Sequence, residues 1–178
     1  QVVTGHLLGG FATLSLLFLL TLRLSGVLPA LIVPRRLQYW ATAGLVLVIG
    51  QIALGGWVSS NYAAVACIDL PTCHGEWWPA ADFANGFHLT QHIGPNYLGG
   101  QLDSDARTAI HLTHRLGALV VTVALLGLAW QLKAVGMTRL AGLLLAALAV
   151  QIGLGLSNVY FHLPLPVAVA HNAGGAAL

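Results

Sequence analysis

Residues 107–132 read RTAIHLTHRLGALVVTVALLGLAWQL. Beyond Arg115 no charged side chain appears until Lys133. The run is too long for a strand and its apolar residues do not alternate, so a helix is expected. A bilayer core needs about 20 apolar residues per crossing helix. A helix also satisfies its own backbone polar groups, which lipid cannot do. This segment is therefore predicted to cross a membrane, with His111, His114 and Arg115 near one end.

Four more segments share its character, at about 2–24, 38–59, 138–160, and from about 164 onward. The first three are long enough to span. The last has about 15 residues, fewer than a crossing needs. Of the 178 residues, 57% are hydrophobic and 7% are charged, against about a quarter charged in a soluble domain. So few charges exclude a soluble enzyme and a disordered tail. A formal charge of +2, scattered along the chain, excludes a nucleic-acid-binding patch. The fold class expected is all-α, a polytopic transmembrane helix bundle. The sequence starts at Gln1 rather than Met, without a basic n-region or a small-residue cleavage site. It reads as an internal piece of a longer protein.

Charge sets the orientation. Arg23, Arg35 and Arg36 lie between the first two segments, and Lys133 and Arg139 between the third and fourth. These short loops hold no acid and are assigned to the cytoplasm by the positive-inside bias. Asp69, Glu76, Asp82, Asp103 and Asp105 all fall in the long loop at 60–106, which is placed outside. Tyr39, Trp40 and Trp130 mark the inner interface, and Trp57, Tyr62, Tyr160 and Phe161 the outer one.

A short repeat links two helices. Gln51-Ile52-Ala53-Leu54-Gly55 matches Gln151-Ile152-Gly153-Leu154-Gly155. Both sit in the outer half of an outward-running helix, and an inward-running helix with a buried histidine follows each. This suggests a duplicated two-helix unit with the long loop inserted in one copy. Small residues that let helices pack closely are the plainer explanation, and both can hold.

Eight histidines in so apolar a chain need an account. Ionisable groups inside a bilayer are costly and mark functional candidates. His6, His114 and His171 lie five to eight residues inside three parallel helices, a depth of about 8–12 Å. Three imidazoles in one layer can ligate a haem, a large apolar plane suited to a helix bundle. An isolated membrane histidine more often bonds a neighbouring helix and binds nothing. His111, three residues before His114, shares its helix face on this reading. It is a second ligand, a proton carrier or a polar cap. Arg115 suits a haem propionate, or else a helix cap or a lipid phosphate. Zinc fits poorly, because the spans hold no Cys or carboxylate.

The outer loop contains the only two cysteines, Cys67 and Cys73. An oxidising face permits a disulfide between them. A structural role ranks above a catalytic dithiol, because the spacing is not C-x-x-C. His88 and His92 are four residues apart and could bind metal on a helix, although a solvated loop is preferred. Trp77-Trp78-Pro79 is expected to rest on the membrane interface.

Taken together, Leu54-Gly55-Gly56-Trp57, Asn61-Tyr62, Cys67, Asp69-Leu70-Pro71-Thr72-Cys73, Trp78-Pro79, Asn96-Tyr97, Gly99-Gly100, Ile110-His111, His114-Arg115 and Ala170-His171-Asn172 resemble the haem A synthase family, of the CtaA/Cox15 type. The resemblance runs nearly end to end. It implies eight helices in two four-helix halves, with the present segments as helices four to eight. Residues 1–24 would close the N-terminal half and 25–37 form a cytoplasmic linker. Residues 38–178 would form the C-terminal half, its last helix truncated. His114 and His171 would be the axial ligands of a haem b, with His111 and Arg115 beside it. His6 would belong to the site of the substrate, haem O.

The implied reaction oxidises a methyl group of haem O to a formyl group, giving haem A for cytochrome oxidase. Implied partners are the haem O synthase that supplies the substrate, an electron donor and membrane lipid; a homo-oligomer is allowed. The implied location is a bacterial inner membrane, with the cysteine loop on the outer face. The family's Glu-x-x-His-Arg motif and first-half cysteine pair are absent, so this stretch alone should not be catalytic. Bis-histidine ligation suits electron transfer better than oxygen activation. Two rival classes remain: a membrane cytochrome b that carries electrons without a haem substrate, and a transporter or assembly subunit whose histidines only bond helices.

Overall fold

The structure, a computed structural model, describes residues 2–26, 32–88 and 102–178. Among the described residues six helices follow one another: α1 (Val2–Leu24), α2 (Arg35–Ser60), α3 (Phe83–Gly86), α4 (Ser104–Ala134), α5 (Thr138–Tyr160) and α6 (Leu165–Ala177). Among the described residues four of them, α1, α2, α4 and α5, are long and apolar enough to cross a membrane. The bundle's outside is apolar, with Leu14, Phe18, Val46, Leu119, Val123 and Leu143 all exposed. Water would penalise such a surface, whereas lipid does not.

Two segments begin and end where hydropathy placed them, and two are longer. Helix α2 starts at Arg35, directly after Pro34, which lacks the N–H that a helix start cannot use. The linker expected at 25–37 is shorter by that margin. Helix α4 starts at Ser104, capped by Asp103, whose carboxylate accepts from the Ala106 N–H at 2.8 Å. Its 31 residues rise about 46 Å, more than the roughly 30 Å hydrocarbon core. The outermost turns therefore project beyond the apolar layer. Hydropathy missed the first residues of α4 because Ser104 and Asp105 are polar.

Packing follows the chain. Helix α2 lies along α4, α4 along α5, and α5 along α6, with α1 against the outer side of α2. Val48, Val121, Leu125 and Leu148 form the shared core of α2, α4 and α5, and Leu178 packs against it. Close approach depends on small residues. The Trp40 ring occupies the notch at Gly127, where an added Cβ would lie 2.7 Å from Cη2. At Gly56 an added Cβ would lie 3.0 Å from Thr4 Cγ2 and 3.3 Å from Thr4 Cα. That contact seats α1 on α2, and Thr4 and Ser60 pair their hydroxyls there at 3.4 Å.

A second small core caps the outer end: Val58, Ala63 and Ile110, with Trp57, Phe87 and Leu102 around it. Trp57 donates its indole N–H to Gly86 O at 2.9 Å and ties α3 to α2. Gly86 lies so near α4 that a Cβ would sit 2.8 Å from Ala106 O. The turn between α5 and α6 places His162 and Leu163 at φ 57 and 63. Leu163 N–H donates to Asn158 O at 2.7 Å there.

Candidate functional site

The repeat noted in α2 and α5 reappears as two matched helix contacts. In the first, Gln51 Nε2 donates to His114 O at 2.9 Å and lies 3.1 Å from His114 Nδ1. In the second, Gln151 Nε2 donates to His171 O at 3.0 Å. A Cβ added at Gly55 would lie 3.3 Å from His114 Cε1, and one at Gly155 would lie 3.1 Å from His171 Cε1. The Gln51 amide also fills the notch at Gly117, three residues after His114, and the Gln151 amide fills that at Gly174, three after His171. Each imidazole thus rests on a glycine, with a glutamine beside its own helix turn.

His171 Nδ1 is buried without a hydrogen-bond partner, as are the Oε1 atoms of Gln51 and Gln151. A neutral imidazole is a nitrogen donor suited to a transition metal. Among the described residues no group of three or more His, Cys, Asp or Glu gathers to hold a metal ion.

Equal depth measured from the helix starts does not survive, because α4 begins earlier than its hydropathy suggests. The shared register of His114 and His171 comes instead from their matched glutamine partners. His6 does not join them. Thr4 and Leu7 face α2, whereas His6 lies with Gly5, Gly9, Gly10, Thr13, Leu14 and Leu17 along the opposite groove of α1.

His111 and His114 are three residues apart and have different neighbours. His111 is buried, and its Nδ1 donates to Ala63 O at 2.9 Å. The carbonyl can only accept, so Nδ1 carries the proton. With Thr108 and Arg115, His111 forms an i, i+3, i+7 stripe turned toward the outer loop. Arg115 donates from Nη1 to Thr72 O at 2.9 Å and from Nη2 to Cys67 O at 2.8 Å, while its Nε is buried and unpartnered. Thr108 Oγ1 lies 3.3 Å from His74 Nε2. Three side chains of α4 therefore anchor the loop.

The loop itself is closed by a Cys67–Cys73 disulfide. Cys73 and Glu76 exchange backbone hydrogen bonds of 2.9 and 3.1 Å. Asp69 sits at the hub. Its carboxylate accepts from Gly75 N–H at 2.9 Å, Thr72 hydroxyl at 2.7 Å and His74 N–H at 2.8 Å. These donors, Gly75 first, hold its pKa well below the usual carboxylate range. His74 and Gly75 both adopt positive φ, of 56 and 77, to aim their N–H groups inward. Trp77 and Trp78 are exposed. His88 follows α3 outside any helix, and His92, Asn96, Tyr97, Gly99 and Gly100 lie outside the described residues.

The role of the two glutamines and of His74 was missed in the sequence. For the glutamines a signal existed: His114-x-x-Gly117 and His171-x-x-Gly174 repeat in step with the two Gln-Ile-x-Leu-Gly runs.

Fold and site define an all-helical, polytopic membrane protein with two histidines seated on matched glutamine and glycine contacts and a disulfide-closed loop. Residues 1–178 match the family model COX15-CtaA, cytochrome oxidase assembly protein, and the chain belongs to that family. It is 45% identical over 183 residues to a heme A synthase of Shewanella oneidensis, covering 99% of this chain and 54% of that protein. It is 33% identical over 181 residues to a heme A synthase of Paracoccus denitrificans, covering 97% of this chain and 45% of that protein. The chain thus spans about half the length of these relatives. No solved structure matches it.

Proposed function

We propose that this chain is the haem b-binding half of a haem A synthase, the enzyme that oxidises a methyl group of haem O to a formyl group. The observation that carries the reading is the pair of imidazoles, His114 and His171, presented by matching glutamine and glycine contacts. Both relatives are named for haem A synthesis.

The residues fit a haem. His114 and His171 would hold it, and the buried, unpartnered His171 Nδ1 shows that this ring is not spent on another helix. A bis-histidine haem b supplies reversible one-electron transfer. Gly55 and Gly155 leave room for the rings. His111 and Arg115 would form one wall of the site, and the buried, unpartnered Nε–H of Arg115 is a donor still free for a propionate. The disulfide loop seals that end from water. His6 faces the other way, which suits a ligand for substrate haem O held outside this half-bundle. On this reading the protein sits in a bacterial inner membrane with the loop outside. Haem O synthase would supply the substrate.

The test is to purify the full-length protein in detergent and record a reduced-minus-oxidised spectrum, with extracted haems separated by chromatography. Haem b together with haem O or haem A is expected. Haem b alone, with no conversion of added haem O, would favour a simple electron carrier. Absence of any haem would overturn the proposal.

A further inference from the structure

We propose that Gln51 and Gln151 are positioning residues for the haem-facing histidines, and that Gln51 exerts the stronger hold. The inference rests on the haem reading above and extends it to residues that touch no iron.

Each glutamine is a long polar side chain directed into an apolar helix interface, a costly choice unless its hydrogen bonds matter. Each donates to the backbone carbonyl of a histidine, at 2.9 Å for His114 and 3.0 Å for His171. A carbonyl inside a helix already accepts one bond, so the amide takes its second lone pair. This locks the histidine's own turn against the neighbouring helix. Gly117 and Gly174 are required for it, because a Cβ at either would collide with the glutamine's Oε1. The same four-part arrangement occurs twice, in α2 with α4 and in α5 with α6. Two occurrences on different helix pairs argue for a selected device rather than chance packing.

The copies differ in one respect. Gln51 also reaches the ring of His114, 3.1 Å from Nδ1, whereas His171 Nδ1 has no partner. Gln51 therefore bears on the ring as well as on the backbone turn of its histidine, while Gln151 bears on the backbone turn alone. The orientation of an iron-ligating imidazole bears on the redox potential of its haem.

The experiment uses the full-length protein and compares Gln51→Met, Gln151→Met and Gly117→Ala, with His114→Ala as the control for ligation. Haem content is read by pyridine haemochrome, and ring orientation by the g values of the low-spin ferric haem in electron paramagnetic resonance. The midpoint potential is titrated in parallel. Gln51→Met should keep its haem but shift both the largest g value and the potential. Gln151→Met should shift them less. Gly117→Ala, which keeps the amide but displaces it, should move them in the same direction as Gln51→Met. It decides the matter if Gln51→Met loses haem altogether. Unchanged g values and potential in Gln51→Met, or in Gly117→Ala where that variant decides, would overturn the proposal. So would a larger shift in Gln151→Met than in Gln51→Met. Retention of haem in His114→Ala would instead overturn the ligand assignment on which the proposal stands.

Discussion

His111, His114 and Arg115 lie within little more than one helical turn and serve three different neighbours. His111 bonds Ala63 O, His114 meets Gln51, and Arg115 bonds the carbonyls of Cys67 and Thr72. The sequence made all three stand out, because charged and ionisable groups are rare in this chain. It did not separate their roles, since their partners lie 48, 63 and 43 or 48 residues away. Asp69 is the residue whose chemistry is plainest. Its folded pKa lies below the unfolded value of about 3.9. Its stabilisation is therefore fully present above that unfolded value and is lost as the pH falls through the lower folded one. The melting temperature of the parent should exceed that of Asp69→Ala by a constant margin from pH 7 to pH 5. The margin should shrink only at stronger acid; its loss between pH 7 and pH 5 would contradict the hub role. Cys67 and Cys73 should resist thiol labelling until a reductant is added. Labelling of untreated, folded protein would refute the disulfide.

At the scale of elements, apolar run length located the four candidate crossing helices: α1 and α5 begin and end as expected, and α2 and α4 are longer by a few residues. The start of α4 was less legible. There α4 continues past the apolar layer as a polar helix whose buried Ala106, Thr108, Ala109 and Ile110 pack under the loop. Burial by protein rather than by lipid leaves no hydropathy signal. Glycine reads ambiguously for a related reason: the sequence shows that it is there, and only the partner helix shows why. Gly127 accommodates the Trp40 ring, while Gly142 has nothing within 4 Å of its Cβ position. Gly127→Ala should therefore cost about 1–3 kcal/mol through overpacking. Gly142→Ala should leave stability unchanged or raise it slightly, as alanine is the better helix former. Thermal melts of the two variants in detergent distinguish them, and equal effects would argue against the close packing of α2 on α4.

For the whole molecule, duplication is the organising fact. Helix pairs α2–α4 and α5–α6 present His114 and His171 by the same contacts, and the outer loop is inserted in the first pair alone. The five-residue repeat made this duplication visible in the sequence, yet its chemical purpose needed three dimensions. Only there do the two glutamines meet the two histidine carbonyls. Helix α1 stands apart, seated on α2 through Gly56 and carrying His6 on its far side. That arrangement separates the proposed electron-transfer haem from the proposed substrate site, so the two should fail independently. The most direct measurement is the haem content and low-spin spectrum of the full-length protein beside His114→Ala, His171→Ala and His6→Ala. The account predicts loss of the low-spin haem b signal in the first two, with the helices still inserted, and its retention in His6→Ala. Full haem b in both His114→Ala and His171→Ala would contradict it.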